Sequence, residues 1–107
     1  MGDYIVVLVT ASSKKEAKKI TNVILEKKIA ACVNMIPGIK SLFHWKGKID
    51  KASEVLLIIK TRKDLFKKLE KIVKQNHSYA VPEIIALSVV QGSKDYLDWI
   101  DNVTLSK

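Results

Sequence analysis

From Ala30 to Thr61 the chain reads as one very long hairpin, and that feature restricts the fold more than any other. Ala31-Cys32-Val33-Asn34-Met35-Ile36 enters as a strand, Pro37-Gly38 bends or bulges it, and Ser41-Leu42-Phe43-His44-Trp45 continues it. Lys46-Gly47-Lys48 supplies the tip, and the return strand runs from Ile49 to Lys60. Each arm covers roughly 15 residues, or about 50 Å if fully extended. A domain of 107 residues has a body only about 35 Å across. The hairpin therefore bends sharply at Pro37-Gly38 or projects beyond its own helices. A projecting tip carrying Phe43 and Trp45 exposes strand edges and aromatic surface, which proteins usually cover. Pairing with further copies of the chain is the expectation.

The flanking segments complete the architecture. Tyr4–Thr10 is a β-branched apolar run of the buried-strand type. Ser13 followed by Glu16 is a capping-box pattern, and Ala17, Ile20 and Ile24 continue at helical spacing to an end near Lys27-Lys28. Thr61 with Asp64 offers a second cap, followed by an apolar helix face of Leu65, Phe66, Leu69, Ile72 and Val73. Gln75-Asn76-His77-Ser78-Tyr79 is a polar loop closed by Val81-Pro82-Glu83, and Ile84–Val90 is a fourth strand. Gly92 turns the chain, and Ser93 caps a final helix bearing Tyr96, Leu97, Trp99 and Ile100. The order β-α-β-β-α-β plus a C-terminal helix predicts an α+β, ferredoxin-like sandwich with an antiparallel sheet and helices on one face. One domain over residues 1–107 is expected.

Several classes fall away. The longest apolar stretches, such as Ile5–Val9 and Val55–Ile59, span five residues, whereas a membrane-spanning helix needs about 20. Met1-Gly2-Asp3-Tyr4 leads straight into a strand, so no secretory leader is expected, and the lone Cys32 suits a reducing cytosol. The formal charge is +8, but 18 of the 19 basic residues are Lys and only Arg62 is Arg. Recognition of phosphate and guanine edges favours the planar guanidinium fork, so the lysines read as a solvated helix surface and no nucleic-acid partner is expected.

Candidate chemistry is sparse. Cys32, His44, His77, Glu54 and Glu83 are possible metal donors, yet no CxxC or HxxxH spacing joins them. The four glycines never cluster, which excludes a P-loop or dinucleotide fingerprint. There is no nucleophile elbow around Cys32, and no enzymatic activity is expected. Lys60 and Arg62 beside the second helix could hold an anion. The most distinctive stretch is His77-Ser78-Tyr79-Ala80-Val81-Pro82-Glu83, which gathers an imidazole, a phenol and a carboxylate around a rigid proline.

These residues carry a resemblance. Ala30-Ala31-Cys32-Val33-Asn34, then Pro37, Ser41-Leu42-Phe43-His44-Trp45-Lys46-Gly47-Lys48-Ile49, Glu54 and Lys60-Thr61 resemble the CutA divalent-cation tolerance family. His77 through Ala86 and Tyr96-Leu97-Asp98-Trp99-Ile100 extend the likeness, in order, from Val6 to about Ile100. The resemblance implies a homotrimer with hairpins paired between subunits, and a role in divalent-cation tolerance, copper especially; with the lone Cys32, the expected location is cytoplasmic. Some members offer a cysteine on the first strand and a second histidine beside the loop histidine; here Val9 and Asn76 stand there. Weak binding of copper or zinc through His77, Cys32 and Glu83, or a neighbouring subunit's donor, is the corresponding expectation. An inter-subunit cleft would draw on Trp45, Glu54, Lys60, Arg62 and Tyr79. The rival readings are a signalling module similar to the PII proteins, with an anionic metabolite held by Lys60 and Arg62, and a trimeric scaffold for a partner protein.

Overall fold

A computed structural model describes residues 3–106. Met1-Gly2, where a direct lead into the first strand is expected, and Lys107 lie outside them. Tyr4–Ala11 forms β1, Lys14–Glu26 forms α1, Cys32–Trp45 forms β2 and Lys48–Arg62 forms β3. A single 3-10 turn at Lys63–Leu65 leads into α2 (Phe66–Asn76), followed by β4 (Ile84–Ser88) and α3 (Lys94–Val103). The sheet order is β2-β3-β1-β4, and every pairing is antiparallel. This is the expected α+β ferredoxin-like arrangement.

Alternation decides the two faces of the sheet. Ile5, Val7, Val9 and Ala11 of β1 stand beside Thr61, Ile59, Leu57 and Val55 of β3, and all eight are buried. They pack under Ala17, Ile20 and Ile24 of α1 and Leu69 and Val73 of α2. The opposite face presents Val6, Leu8, Leu56 and Ile58, half-buried, with Ile36, Ile85 and Leu87 exposed by 40%, 51% and 53%. The centre of that second face is apolar, flanked by Lys60 and Asn34 toward one end and Glu54 toward the other, and no helix among the described residues covers it.

The last helix does not join the others. Tyr4 and Arg62 have the parity of the open face, and they bind Asp101 and Thr104 at the end of α3. The helix thus crosses one end of the face opposite α1 and α2, where a layer on one face only was expected. Its own residues explain this. Ile100 is buried, while Tyr96 and Trp99, their ring centroids 5.5 Å apart and inclined at 40°, stay half-exposed.

The hairpin both bulges and projects. Ile36 pairs with Leu56 and Ile39 with Glu54, so Pro37-Gly38 face Val55 alone, with Gly38 at φ +76°. That is a β-bulge, at a residue that cannot donate a ladder hydrogen bond and one that tolerates the left-handed region. Beyond Val55 β1 has ended, and the two strands run on alone as a ribbon to the Lys46-Gly47 turn. The molecule measures 44 × 26 × 23 Å in consequence. A two-stranded ribbon is marginal in water without a partner surface, and this one leaves Leu42 and Ile49 about 70% exposed (72% and 71%).

Two local expectations are revised. Thr61 does not cap α2: it stays in β3, fully buried, and its hydroxyl donates to the Ile29 carbonyl. Burial on the helix face outweighs its capping propensity, and the helix begins instead through a 3-10 turn after Arg62. Strand β4 ends at Ser88, two residues before the apolar run does, and one further bond, from Val89 N–H to the Tyr4 carbonyl at the first residue of β1, closes the pairing.

Candidate functional site

The polar loop after α2 is built around His77, whose side chain is fully buried. Its Nε2 lies 2.7 Å from the Thr10 carbonyl oxygen, and its Nδ1 accepts from the Tyr79 backbone N–H at 3.1 Å. An amide N–H can only donate and a carbonyl can only accept, so Nδ1 is bare and the proton sits on Nε2. The hydrogen-bond partners, not an observed hydrogen, assign this tautomer.

Glu16 ties the loop to the start of α1. The expected capping box is half-formed: Ser13 Oγ accepts from Glu16 N–H at 3.1 Å, but the Glu16 carboxylate reaches Ser12 instead of Ser13. Oε1 accepts from Ser12 N–H and Oγ at 2.9 and 3.0 Å, and Oε2 accepts from Ser78 N–H at 2.9 Å. Burial opposes charge on Glu16, yet these donors outweigh it and hold its carboxyl below the ordinary value. A carboxylate so bound anchors a loop that otherwise has little packing.

The anchored loop aims Tyr79 round the end of β1. Its phenol donates to Glu54 Oε2 at 2.8 Å, and Glu54 is only 6% exposed. Burial, then the Glu54 contact, pushes the Tyr79 hydroxyl up to about 12. Glu83 joins the cluster: burial and then the charge on Glu54 raise its carboxyl above the ordinary value. The imidazole and phenol rings lie 4.8 Å apart, inclined at 51°. The group sits at the base of the hairpin, beside the bulge, where Glu54 shares the open face with Leu56 and Ile58.

The remaining candidates lie elsewhere in the chain. Cys32 stands opposite Lys60, and Thr10, under His77, stands opposite Leu56. Four residues of strand separate the two positions, about 13 Å, so Cys32 and His77 do not meet. The Cys32 thiol instead neighbours the Tyr96 hydroxyl, whose acidity burial and this contact weaken. Trp45 is at the hairpin tip, opposite Lys48, roughly 20 Å of strand from Glu54. Lys60 Nζ is bound to Asn34 Oδ1. Arg62 is 2% exposed; Nε and one terminal nitrogen grip Asp64 bidentately at 2.9 Å, and the other donates to Thr104 at 2.6 Å. That geometry commits these donors to the chain itself, two to Asp64 in the turn before α2 and one to Thr104 at the end of α3. Within one chain, then, His77, Tyr79, Glu54 and Glu83 share one location, and Cys32 and Lys60 share another.

A copper or zinc ion does not fit this donor set as it stands. Among the described residues no three of His, Cys, Asp and Glu converge as ligands, and both nitrogens of His77 are spent on main-chain groups. Glu16, Ser12 and Ser78 escaped the sequence reading because their signal, a serine pair followed by a glutamate, announces only a helix cap. Their contact crosses 62 residues of sequence.

Comparison with known proteins gives a consistent answer. A family model described as CutA1 divalent ion tolerance protein matches residues 5–103. The chain is 50% identical over 100 residues to "Protein CutA, chloroplastic" of Arabidopsis thaliana, covering 94% of this chain and 55% of that one. It superposes on the crystal structure of CutA1 from Oryza sativa with a TM-score of 0.94 at 46% identity, covering 97% and 95% of the two chains. The structure titled periplasmic divalent cation tolerance protein CutA, from Archaeoglobus fulgidus, gives a TM-score of 0.91 at 46% identity, covering 94% and 97%. The chain spans a little over half the length of the plant and mouse relatives it matches. No helix among the described residues is long and apolar enough to cross a membrane.

Proposed function

The chain belongs to the CutA1 divalent ion tolerance protein family, and from that premise we propose that it works as a cytoplasmic homotrimer, one domain per chain over residues 1–107, in tolerance of divalent cations. The observation that carries the reading is the uncovered apolar face of Val6, Leu8, Leu56, Ile58, Ile85 and Leu87, continued by a ribbon with no partner strand. Burial of such a face is the main source of stability in an obligate assembly. Three copies joined through it bring the separated candidates, Trp45, Lys60 and the Glu54–Tyr79 pair, within reach of one another across subunit boundaries. Copper or zinc then binds weakly, with a neighbouring subunit completing the donors, and no bond of the ion or of a substrate is turned over. The plant and archaeal names place relatives in chloroplast and periplasm; a cytoplasmic site for this chain rests on the lone, unpaired Cys32.

Titration calorimetry with copper and with zinc tests the ion reading. Saturable heats with a dissociation constant tighter than about 1 mM, roughly 4 kcal/mol of binding, are expected. Flat titrations up to that concentration would remove ion binding from the account and leave the trimer.

A further inference from the structure

We propose that His77 is a positioning residue closed to metal: its ring, held between the Thr10 carbonyl and the Tyr79 amide, keeps the Tyr79 phenol on the Glu54 carboxylate. This goes beyond the family reading, because all of the residues belong to one chain and no ion takes part.

The geometry leaves the imidazole nothing to offer. A metal ion takes a lone pair, and the only lone pair is on Nδ1, already directed at Tyr79 N–H. Nε2 carries the proton given to Thr10. Glu16 Oε1 faces Nδ1 at 3.7 Å but is turned to Ser12, and the ring has no solvent exposure. An ion at Nδ1 would evict Tyr79 N–H, and with it the loop that carries the phenol. The direction of the effect is therefore opposite to ligation: His77 serves by staying metal-free. The ring also supports the phenol directly, through the 4.8 Å contact between the two rings.

The test uses the full chain with nitrogen-15 labelled histidines, titrated with zinc chloride alone and read by NMR. His44 on the exposed hairpin is the internal reference. The His77 ring is expected to show one bare and one protonated nitrogen, both unmoved by zinc, whether or not His44 responds. A His77 signal that shifts at or below the zinc concentration moving His44 overturns the proposal. Two variants supply the second arm. His77→Asn keeps an acceptor for the N–H two residues on, as in an Asx turn, whereas His77→Gln keeps a donor for Thr10 and loses that acceptor. Exchange of the Tyr79 amide is expected to stay near wild type in His77→Asn and to rise about tenfold in His77→Gln. Equal exchange in the two, or the reverse order, overturns the positioning role. Should neither variant fold, the nitrogen pattern of the wild-type His77 ring still decides, since a protonated Nδ1 or a bare Nε2 overturns the proposal with or without zinc. Zinc uptake with a silent His77 leaves both readings standing, and absence of any uptake removes the ion reading alone.

Discussion

Tyr4 and Asp101, 97 residues apart in sequence, meet at 2.6 Å, the phenol donating to the carboxylate. The contact joins the first strand to the last helix, and Arg62 reinforces it from β3 through Thr104. It also fixes α3 on the face that α1 and α2 leave open.

That pair predicts an alkaline weakness. The hydrogen bond to Asp101, then burial, then the charge of Asp101 raise the Tyr4 hydroxyl from 10.0 to about 12. A raised value means that the contribution is whole below pH 10 and is lost as pH climbs through 12. Thermal melts across that window should fall for the wild type, and Tyr4→Phe should start lower and fall less. Because Tyr79 titrates in both proteins, the difference between the two curves reports Tyr4. Parallel curves would contradict the role given to the contact.

Glu16 predicts the acid counterpart. Its carboxyl is held below 4.5 against the cost of burial by the Ser12 and Ser78 donors, so its contribution is present above that value and lost as pH drops through the lowered one. Glu16→Gln turns an amide N–H toward a donor and should cost about 1–3 kcal/mol at neutral pH. Denaturant midpoints of wild type and variant should converge as the solution is made more acid than 4.5. A constant gap down to the acid limit would show that the carboxylate charge is not what holds the loop.

Two lysines sit where glycine or asparagine would be at ease. Helix α1 ends in a Schellman motif: Ile29 N–H donates to Ile24 O at 2.9 Å and Lys28 N–H to Leu25 O at 3.0 Å, leaving Lys28 at φ +57°. In the two-residue hairpin turn Lys46 and Gly47 have φ +51° and +76°, the paired positive values for which Asn-Gly is preferred. Lys28→Gly and Lys46→Asn should each stabilise the chain by about 0.5–1 kcal/mol. Chemical denaturation checks both, and destabilisation by either would show that its lysine makes a compensating contact.

The hairpin, the bulge at Pro37-Gly38 and the strand and helix order were legible because they rest on local signals: runs of β-branched residues, a proline, a glycine and helical periodicity. Thr61 was misread because a capping pattern and a buried strand end use the same residue type, and tertiary burial decided between them. The side chosen by α3 was invisible, since it depends on Tyr4 and Arg62 finding Asp101 and Thr104 across the whole chain. At the candidate site the distinctive loop could be picked out by composition. What the sequence could not reveal is that His77 spends both nitrogens on the backbone, that Arg62 is consumed by Asp64 and Thr104, or that Cys32 stands about 13 Å of strand away from His77. Those are matters of register and direction, which residue identity does not encode.

In the proposed trimer, further copies of the chain cover the open apolar face. Light scattering on the wild-type chain, over a series of dilutions, tests it most directly, with Ile85→Glu as the companion because Ile85 is 51% exposed in the single chain and its replacement should leave the fold intact. Three times the 12.0 kDa chain mass is expected for the wild type and a smaller species for the variant, which would bury an unpaired charge in the assembly. A wild-type mass of 12.0 kDa at every dilution would contradict it.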